Sequence, residues 1–353
     1  MRETAGRTGR TGRRFAIWGL SLALVVVGAG IALAFSAGKT MGAAYRSGGP
    51  TQSETEERTF VVAGVPTFAL AGDNGPVTIT RGDSDTAVIV RVTKRGASDE
   101  ELRRLRVEMT QNGDAISVRE GGANRSFSFG RRGSVEYAVQ LPRRANIAPL
   151  RTDHGAVSVS GIAGNLDLET DNGSIIVRDF DGTLAARTDN GRVTLANGVG
   201  SVRVVTDNGS VDLRDVRAAG LNVRTDNGRV GFAGSLAPGS DTRIETNNGS
   251  VTVQLPPESG FALDAESHHG RVQVAFPVTR SPAPVGSRGY GDDNDREAIR
   301  GTVGRPDATL TVRTGNGGIT IAHGNGTQGN ATQATPTAVP FGERTTGKRG
   351  YGA

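Results

Sequence analysis

A unit reading Thr-Asp-Asn-Gly recurs along the chain, and each copy leads into the same short alternation of apolar and polar residues. Aligned on the glycine, the copies read TDHGAVSV to Val159, TDNGSIIV to Val177, TDNGRVTL to Leu195, TDNGSVDL to Leu213, TDNGRVGF to Phe232, TNNGSVTV to Val253, SHHGRVQV to Val274 and TGNGGITI to Ile321. Gly155, Gly173, Gly191 and Gly209 lie 18 residues apart; Gly228, Gly249 and Gly270 follow after 19, 21 and 21, and Gly317 after 47. A nearly fixed period of this kind marks a stacked-repeat protein. It is too short for a two-helix repeat and suits one coil of a β-solenoid with two or three short strands.

Within a repeat the alternation has the period of a strand. Leu166, Leu168, Ile175 and Val177 are expected to point inward, and Asp167, Glu169 and Arg178 to water. The same phase recurs at Val202, Val204, Val211 and Leu213, and at Leu221, Val223, Val230 and Phe232. Asn-Gly is expected to supply the positive φ angles of a tight turn. The turn pairs are Asn172-Gly173, Asn190-Gly191, Asn208-Gly209, Asn227-Gly228 and Asn248-Gly249. A second turn is expected to close each coil, as at Asp181-Gly182, Asn197-Gly198 and Ala219-Gly220. Stacking seven coils at about 4.8 Å each gives a rod of roughly 30 Å with one continuous core. It would also set Thr152, Thr170, Thr188, Thr206, Thr225 and Thr246 in one column and the asparagines in another, able to form hydrogen-bonded ladders.

The chain has no cysteine, which excludes disulfides, thiol catalysis and cysteine-ligated zinc. Its net charge of +5 misleads about partners. The first 14 residues hold five Arg and one Glu, whereas residues 150–280 hold 12 Arg against 16 acidic side chains. The repeats therefore lack the basic footprint of a nucleic-acid binder, and no nucleic-acid partner is expected.

Residues 15–35 are apolar or small and uncharged, long enough as a helix to span about 31 Å, one hydrocarbon core. Residues 1–14 form a basic segment before it, which places the N-terminus in the cytoplasm and the body of the protein outside. A transmembrane anchor is the first reading. A cleaved signal peptide is the other, since Ala32-Leu33-Ala34 and Phe35-Ser36-Ala37 resemble cleavage sites. Residues 36–58 read as a polar linker, 59–145 as an irregular N-terminal β cap, and 146–323 as the repeat solenoid with an inserted loop at 281–307. Ser98 to Glu101 followed by Leu102 and Leu105 reads as a capped short helix within the cap. Residues 324–353, rich in Gly, Thr, Asn and Gln, read as a disordered tail.

The membrane segment, the opening Phe-x-Val strand, the repeated [TS]-[DN]-[NH]-G-[SR]-[VI]-x-[VIL] units and the closing T-G-N-G-x-I-x-I together resemble the bacterial "putative adhesin" domain family, over residues 60–322. The resemblance implies an all-β, right-handed, single-stranded β-helix-like body on an envelope protein. It implies an adhesin-like binding or surface-display role, or alternatively a scaffold or regulator in envelope-stress signalling. The expected partners are the membrane, through the N-terminal helix, and an envelope protein or glycan. The family carries no catalytic residues to transfer.

Each candidate site has a plainer explanation. The Asp-Asn columns offer oxygen ligands for Ca²⁺, but the nonapeptide calcium repeat is absent and turn geometry accounts for both residue types. His268-His269 and His154 occupy Asn positions of the turn, with no third metal ligand set by spacing. Arg81-Gly82-Asp83 is a tripeptide common by chance, and His323 has no evident partner. Arg103-Arg104, Arg131-Arg132 and Arg143-Arg144 could form a basic face on the cap. A polysaccharide-acting β-helix enzyme needs clustered carboxylates and aromatic platforms, and residues 150–280 contain no Trp or Tyr. The expectation is a non-catalytic protein without cofactor or metal.

Overall fold

The computed structural model describes residues 42–46, 49–121, 133–281 and 296–324. The basic segment, the apolar span 15–35, Arg131-Arg132, residues 282–295 of the expected insertion and the tail beyond Gly324 lie outside them. Among the described residues there are 23 strands and one six-residue helix, and no helix is long and apolar enough to cross a membrane.

The alternation builds a parallel β-solenoid. Each coil has an arm before the Asn-Gly turn and an arm after it, and each arm stacks in register on the same arm of the next coil. Thr188 lies opposite Thr170 and Thr206, and Ile175 opposite Val157 and Val193. The inward residues Leu166, Leu168, Ile175, Val177, Val193 and Leu195 are all buried in one core. At about 4.8 Å per coil, the ten rungs of the first arm give a rod of roughly 45 Å.

The coils do not stack in chain order at either end. The last coil in sequence, Thr309–Asn316 and Ile319–His323, is wedged between the Gly249 coil and the Gly270 coil. The Gly270 coil is therefore the outermost rung. The other end repeats the arrangement. The early copy at Gly75, strands Thr67–Asn74 and Val77–Arg81, lies between the Gly155 coil and an outer coil of Ala115–Gly121 and Ser134–Leu141. The region expected to be an irregular cap thus contains two regular rungs.

Antiparallel strands close both ends, as an exposed sheet edge requires. Arg106–Asn112 covers one arm at the N-terminal end, and Ala87–Gly96 with Gly49–Val61 extends the other. Gly49–Val61 begins inside the stretch read as linker. Its polar residues pair through the backbone with Ala87–Gly96, and Phe60 anchors it in the core. At the far end Val278–Arg280 and Glu297–Val303 pair as a hairpin on Phe261–His269. Helix Asp99–Arg104 is capped by Ser98 Oγ, which accepts from Glu101 N at 3.2 Å, and it buries Leu102.

The second corner is a bend within continuous strands. Ile175–Thr188, Val193–Asn208 and Val211–Asn227 run straight through it. Asp179, Asn197 and Asp215 take left-handed φ values of 53°, 56° and 53°, and Gly182 and Gly200 take 134° and 133°. Ala219 is the extra residue where the register shifts between Gly200 and Ser201.

Candidate functional site

The turn edge is the most regular feature of the rod. The motif glycines there do not adopt positive φ, apart from Gly75 and Gly317. Their requirement is closeness. A Cβ on Gly191 would sit 1.9 Å from the carbonyl oxygen of Gly173, and one on Gly209 would sit 1.8 Å from that of Gly191. Glycine lets successive turns stack without a side chain between them. The same carbonyls accept hydrogen bonds from the buried threonines. Thr188 Oγ1 donates to Gly173 O at 3.0 Å, Thr225 to Gly209 O at 3.1 Å and Thr314 to Gly249 O at 2.9 Å. Thr206 Oγ1, in the same column, finds no partner among the described residues.

The asparagines form the expected ladder on the exposed side of the turn. Asn190 Nδ2 donates to Asn172 Oδ1 at 3.0 Å, Asn208 to Asn190 at 3.1 Å, Asn227 to Asn208 at 3.0 Å, and Asn248 to Asn227 at 3.0 Å. Asn316 continues it onto Asn248. His154 stands at one end, 3.5 Å from Asn172, and His269 at the other, opposite Asn316. The histidines are therefore far apart along the rod. Among the described residues no group of three potential metal ligands comes together.

The two faces differ in chemistry. The outward column after the turn reads Thr78, Ser158, Ile176, Thr194, Asp212, Gly231, Thr252 and Thr320 in spatial order, a shallow surface rich in hydroxyls. The column before the threonines reads Arg151, Glu169, Arg187, Val205, Arg224, Glu245, Arg313 and Glu266. Opposite charges largely alternate there, and Arg151 Nε meets Glu169 at 2.8 Å.

Two carboxylates depart from this pattern. Glu266 on the outermost rung is only 6 % exposed. It is held by Arg296, by Arg300 Nη2 at 2.9 Å and by His268 Nε2 at 3.3 Å. Arg300 Nε also donates to Asp264 at 2.8 Å, and the ion pairs raise its already high pKa. Glu120 accepts from Asp73 N at 3.1 Å and from Tyr137 Oη at 3.3 Å. Burial pushes its carboxyl above the usual range, with the charges of Asp73 and Asp153 adding to the effect. Burial, with Glu120 alongside, pushes the Tyr137 phenol well above its own range.

Of the remaining candidates, Arg104 is taken up by Glu100 at 2.6 Å, and the His323 ring packs 4.2 Å from Phe276. Arg81 and Asp83 are exposed, and Gly82 N donates to Leu141 O at 2.7 Å. Neither the Glu120–Tyr137 pair nor the Glu266 cluster was visible in the repeat. Glu120 lies outside the repeated unit, and the two arginine partners of Glu266 lie 30 and 34 residues further along the chain.

The sequence model of the family described as Toastrack DUF4097 matches residues 68–322. No curated protein matches the chain. Three solved structures are similar to it at low identity. One is titled a "putative adhesin" from Bacteroides fragilis NCTC 9343, 11 % identical, covering 76 % of this chain and 96 % of its own, with a TM-score of 0.44. A second, a "putative cell adhesion protein" from Clostridium sporogenes ATCC 15579, is 12 % identical, covers 76 % and 100 %, and has a TM-score of 0.23. A third, a "Putative lipid binding protein" from Parabacteroides distasonis ATCC 8503, is 9 % identical, covers 77 % and 97 %, and has a TM-score of 0.25.

Proposed function

The chain belongs to the Toastrack DUF4097 family, and from that premise we propose that it is a non-catalytic, adhesin-like binding or display module of the bacterial envelope. The observation that carries this reading is the hydroxyl-rich face from Thr78 to Thr320. The column spans eight rungs, with hydroxyls at Thr78, Ser158, Thr194, Thr252 and Thr320 and with Ile176, Asp212 and Gly231 between them. Short hydroxyl side chains lose little rotamer freedom on contact, so such a face can bind an extended partner at small entropic cost. The outward acidic residues along the rod are dispersed or paired with arginine, which suits binding better than acid–base chemistry. In this reading residues 15–35 hold the body outside the cytoplasm, and the winding is right-handed, as parallel crossovers are.

In-cell crosslinking of tagged full-length protein tests it. Recovery of surface glycan or peptidoglycan fragments, without a dominant protein, is the expected result. One membrane protein recovered in near-equal amount would replace it with the scaffold or signalling role. The charge-alternating face, Arg151 to Glu266, would then be the contact to examine first.

A further inference from the structure

Nine Asn-Gly pairs occur among the described residues. The dipeptide is chemically labile in water, because glycine puts no Cβ between its amide nitrogen and the carboxamide before it. The fold holds most of these carboxamides. Asn190, Asn208, Asn227 and Asn248 each donate to one neighbour in the ladder and accept from the other. A carboxamide gripped from both sides cannot turn back onto its own backbone. Asn197 donates to Asp179 at 3.1 Å and is followed by the buried Gly198. After Asn74, the Gly75 amide is occupied, donating to His154 O at 2.9 Å.

Asn112-Gly113 lies outside this protection. It forms the tip between Arg106–Asn112, which covers the first arm, and Ala115–Gly121 of the outer rung. Both residues are exposed. Neither the Asn112 carboxamide nor the Gly113 N–H has a hydrogen-bond partner among the described residues. A Cβ on Gly113 would meet nothing within 4 Å, so the space around the link is open. The contacts of the tip fall elsewhere, with Ala63 N donating to Asp114 Oδ1 at 2.8 Å and Gln111 Nε2 to Gly113 O at 2.9 Å.

We propose that Asn112 is a site of spontaneous deamidation, the one Asn-Gly link that the folded rod leaves open to it. The deprotonated Gly113 nitrogen attacks Cγ of Asn112. The N–Cγ bond forms, the Cγ–Nδ2 bond breaks, and ammonia leaves with the proton. Water then opens the resulting five-membered imide at either carbonyl. One opening gives aspartate and the other isoaspartate, whose main chain runs through Cγ. No enzyme, metal or oxidant takes part. Asn112–Ala115 is the last pair of its ladder, so the opening needed to bring nitrogen and Cγ together is small and local. The inference is independent of what the outward faces bind.

Tryptic peptide mapping of full-length protein aged in uncharged detergent and heavy-oxygen water tests this. Peptide 107–119 contains Asn112 as its only asparagine, and peptide 204–214 contains the clamped Asn208 as its only one. In the folded protein Asn112 should convert at least about tenfold faster than Asn208, since its link opens without unfolding the coils. The heavy oxygen should be incorporated once per conversion, and electron-transfer fragmentation should show isoaspartate beside aspartate. In concentrated urea the two rates should converge, and Asn112→Gln should abolish conversion in its peptide. Equal rates in the folded protein, faster conversion at Asn208, or an Asn112 that reacts only in urea overturns the proposal.

Discussion

The carboxamide of Asn316 donates to Oδ1 of Asn248 at 2.8 Å across 68 residues of sequence. The intervening chain forms the outermost coil and its hairpin, then returns to fill the rung beneath. The ladder is therefore continuous in space where it is broken in sequence. The turn edge behaves as one column, and its stability can be probed rung by rung.

Gly191→Ala places a methyl group 1.9 Å from the Gly173 carbonyl oxygen and 2.9 Å from the Thr188 hydroxyl. The coils must separate locally to admit it. A loss of about 3 kcal/mol is expected, at the upper end for overpacking. Urea unfolding should show a lower midpoint. An unchanged midpoint would mean that the turns slide apart freely.

Asn208 both donates to Asn190 and accepts from Asn227. Asn208→Ala removes two exposed hydrogen bonds and should cost roughly 1 kcal/mol. Asn208→Asp keeps the acceptor but turns a carboxylate towards Asn190 Oδ1, so it should cost more at neutral pH. The carboxyl would be favoured in its protonated form in the fold, since only that form donates. The excess cost should therefore shrink as pH falls through the carboxylate range. Melting curves of both variants at two pH values decide this.

The Glu120 carboxyl has a folded pKa raised above its ordinary value of 4.5, chiefly by burial. A raised folded value means that the native state binds more protons than the unfolded chain between the two values. Its contribution is fully present below 4.5 and is lost as pH rises through the raised value. Glu120→Gln retains an acceptor for Asp73 N and Tyr137 Oη without the charge. It should be more stable than wild type at neutral pH, and the difference should vanish in acid. Equal stability at both would refute the linkage.

Arg300→Ala removes the donors to Asp264 and Glu266 and leaves Glu266 half-compensated in a nearly enclosed site. The arginine is 40 % exposed, so solvent softens the loss to about 1–2 kcal/mol. The effect should be local, with faster hydrogen exchange at Ala262–Ser267 and no change in the central coils. Uniform acceleration along the rod would show that the end is coupled to the whole.

Removal of divalent cations is expected to leave the melting temperature unchanged. The Asp and Asn of the turns are engaged in stacking, as where Asn247 Nδ2 donates to Asp226 Oδ1 at 3.0 Å. A chelator-induced drop would assign calcium to this edge.

Much of the solenoid was legible because its code is local. Leu166, Leu168, Ile175 and Val177 are buried as their alternation predicted, and the Thr and Asn columns follow from a period of 18. The role of glycine was misread, since Gly191 is demanded by the neighbouring coil and not by its own φ. The order of the rungs was not legible at all. Asn248 can stack equally on Asn227, on Asn316 or on His269, because backbone pairing between near-identical coils carries no mark of which coil is next. The surroundings of half-buried Glu120 and buried Glu266 were hidden for the same reason, since they are built largely by strands distant in sequence.

The wedged coil also sets a schedule. Phe261–His269 pairs with Thr309–Asn316 and not with Asp241–Asn248, so its permanent seat does not exist until the later strand has been made. A nascent chain emerging N-terminus first would hold its outer rung in reserve while a vacant slot, bordered by two unpaired strand edges, waited for residues 309–323. Any chain cut short before Thr309 would keep that slot open to a strand from another copy. Arrival of residues 309–323 is then what seals the far end of the rod.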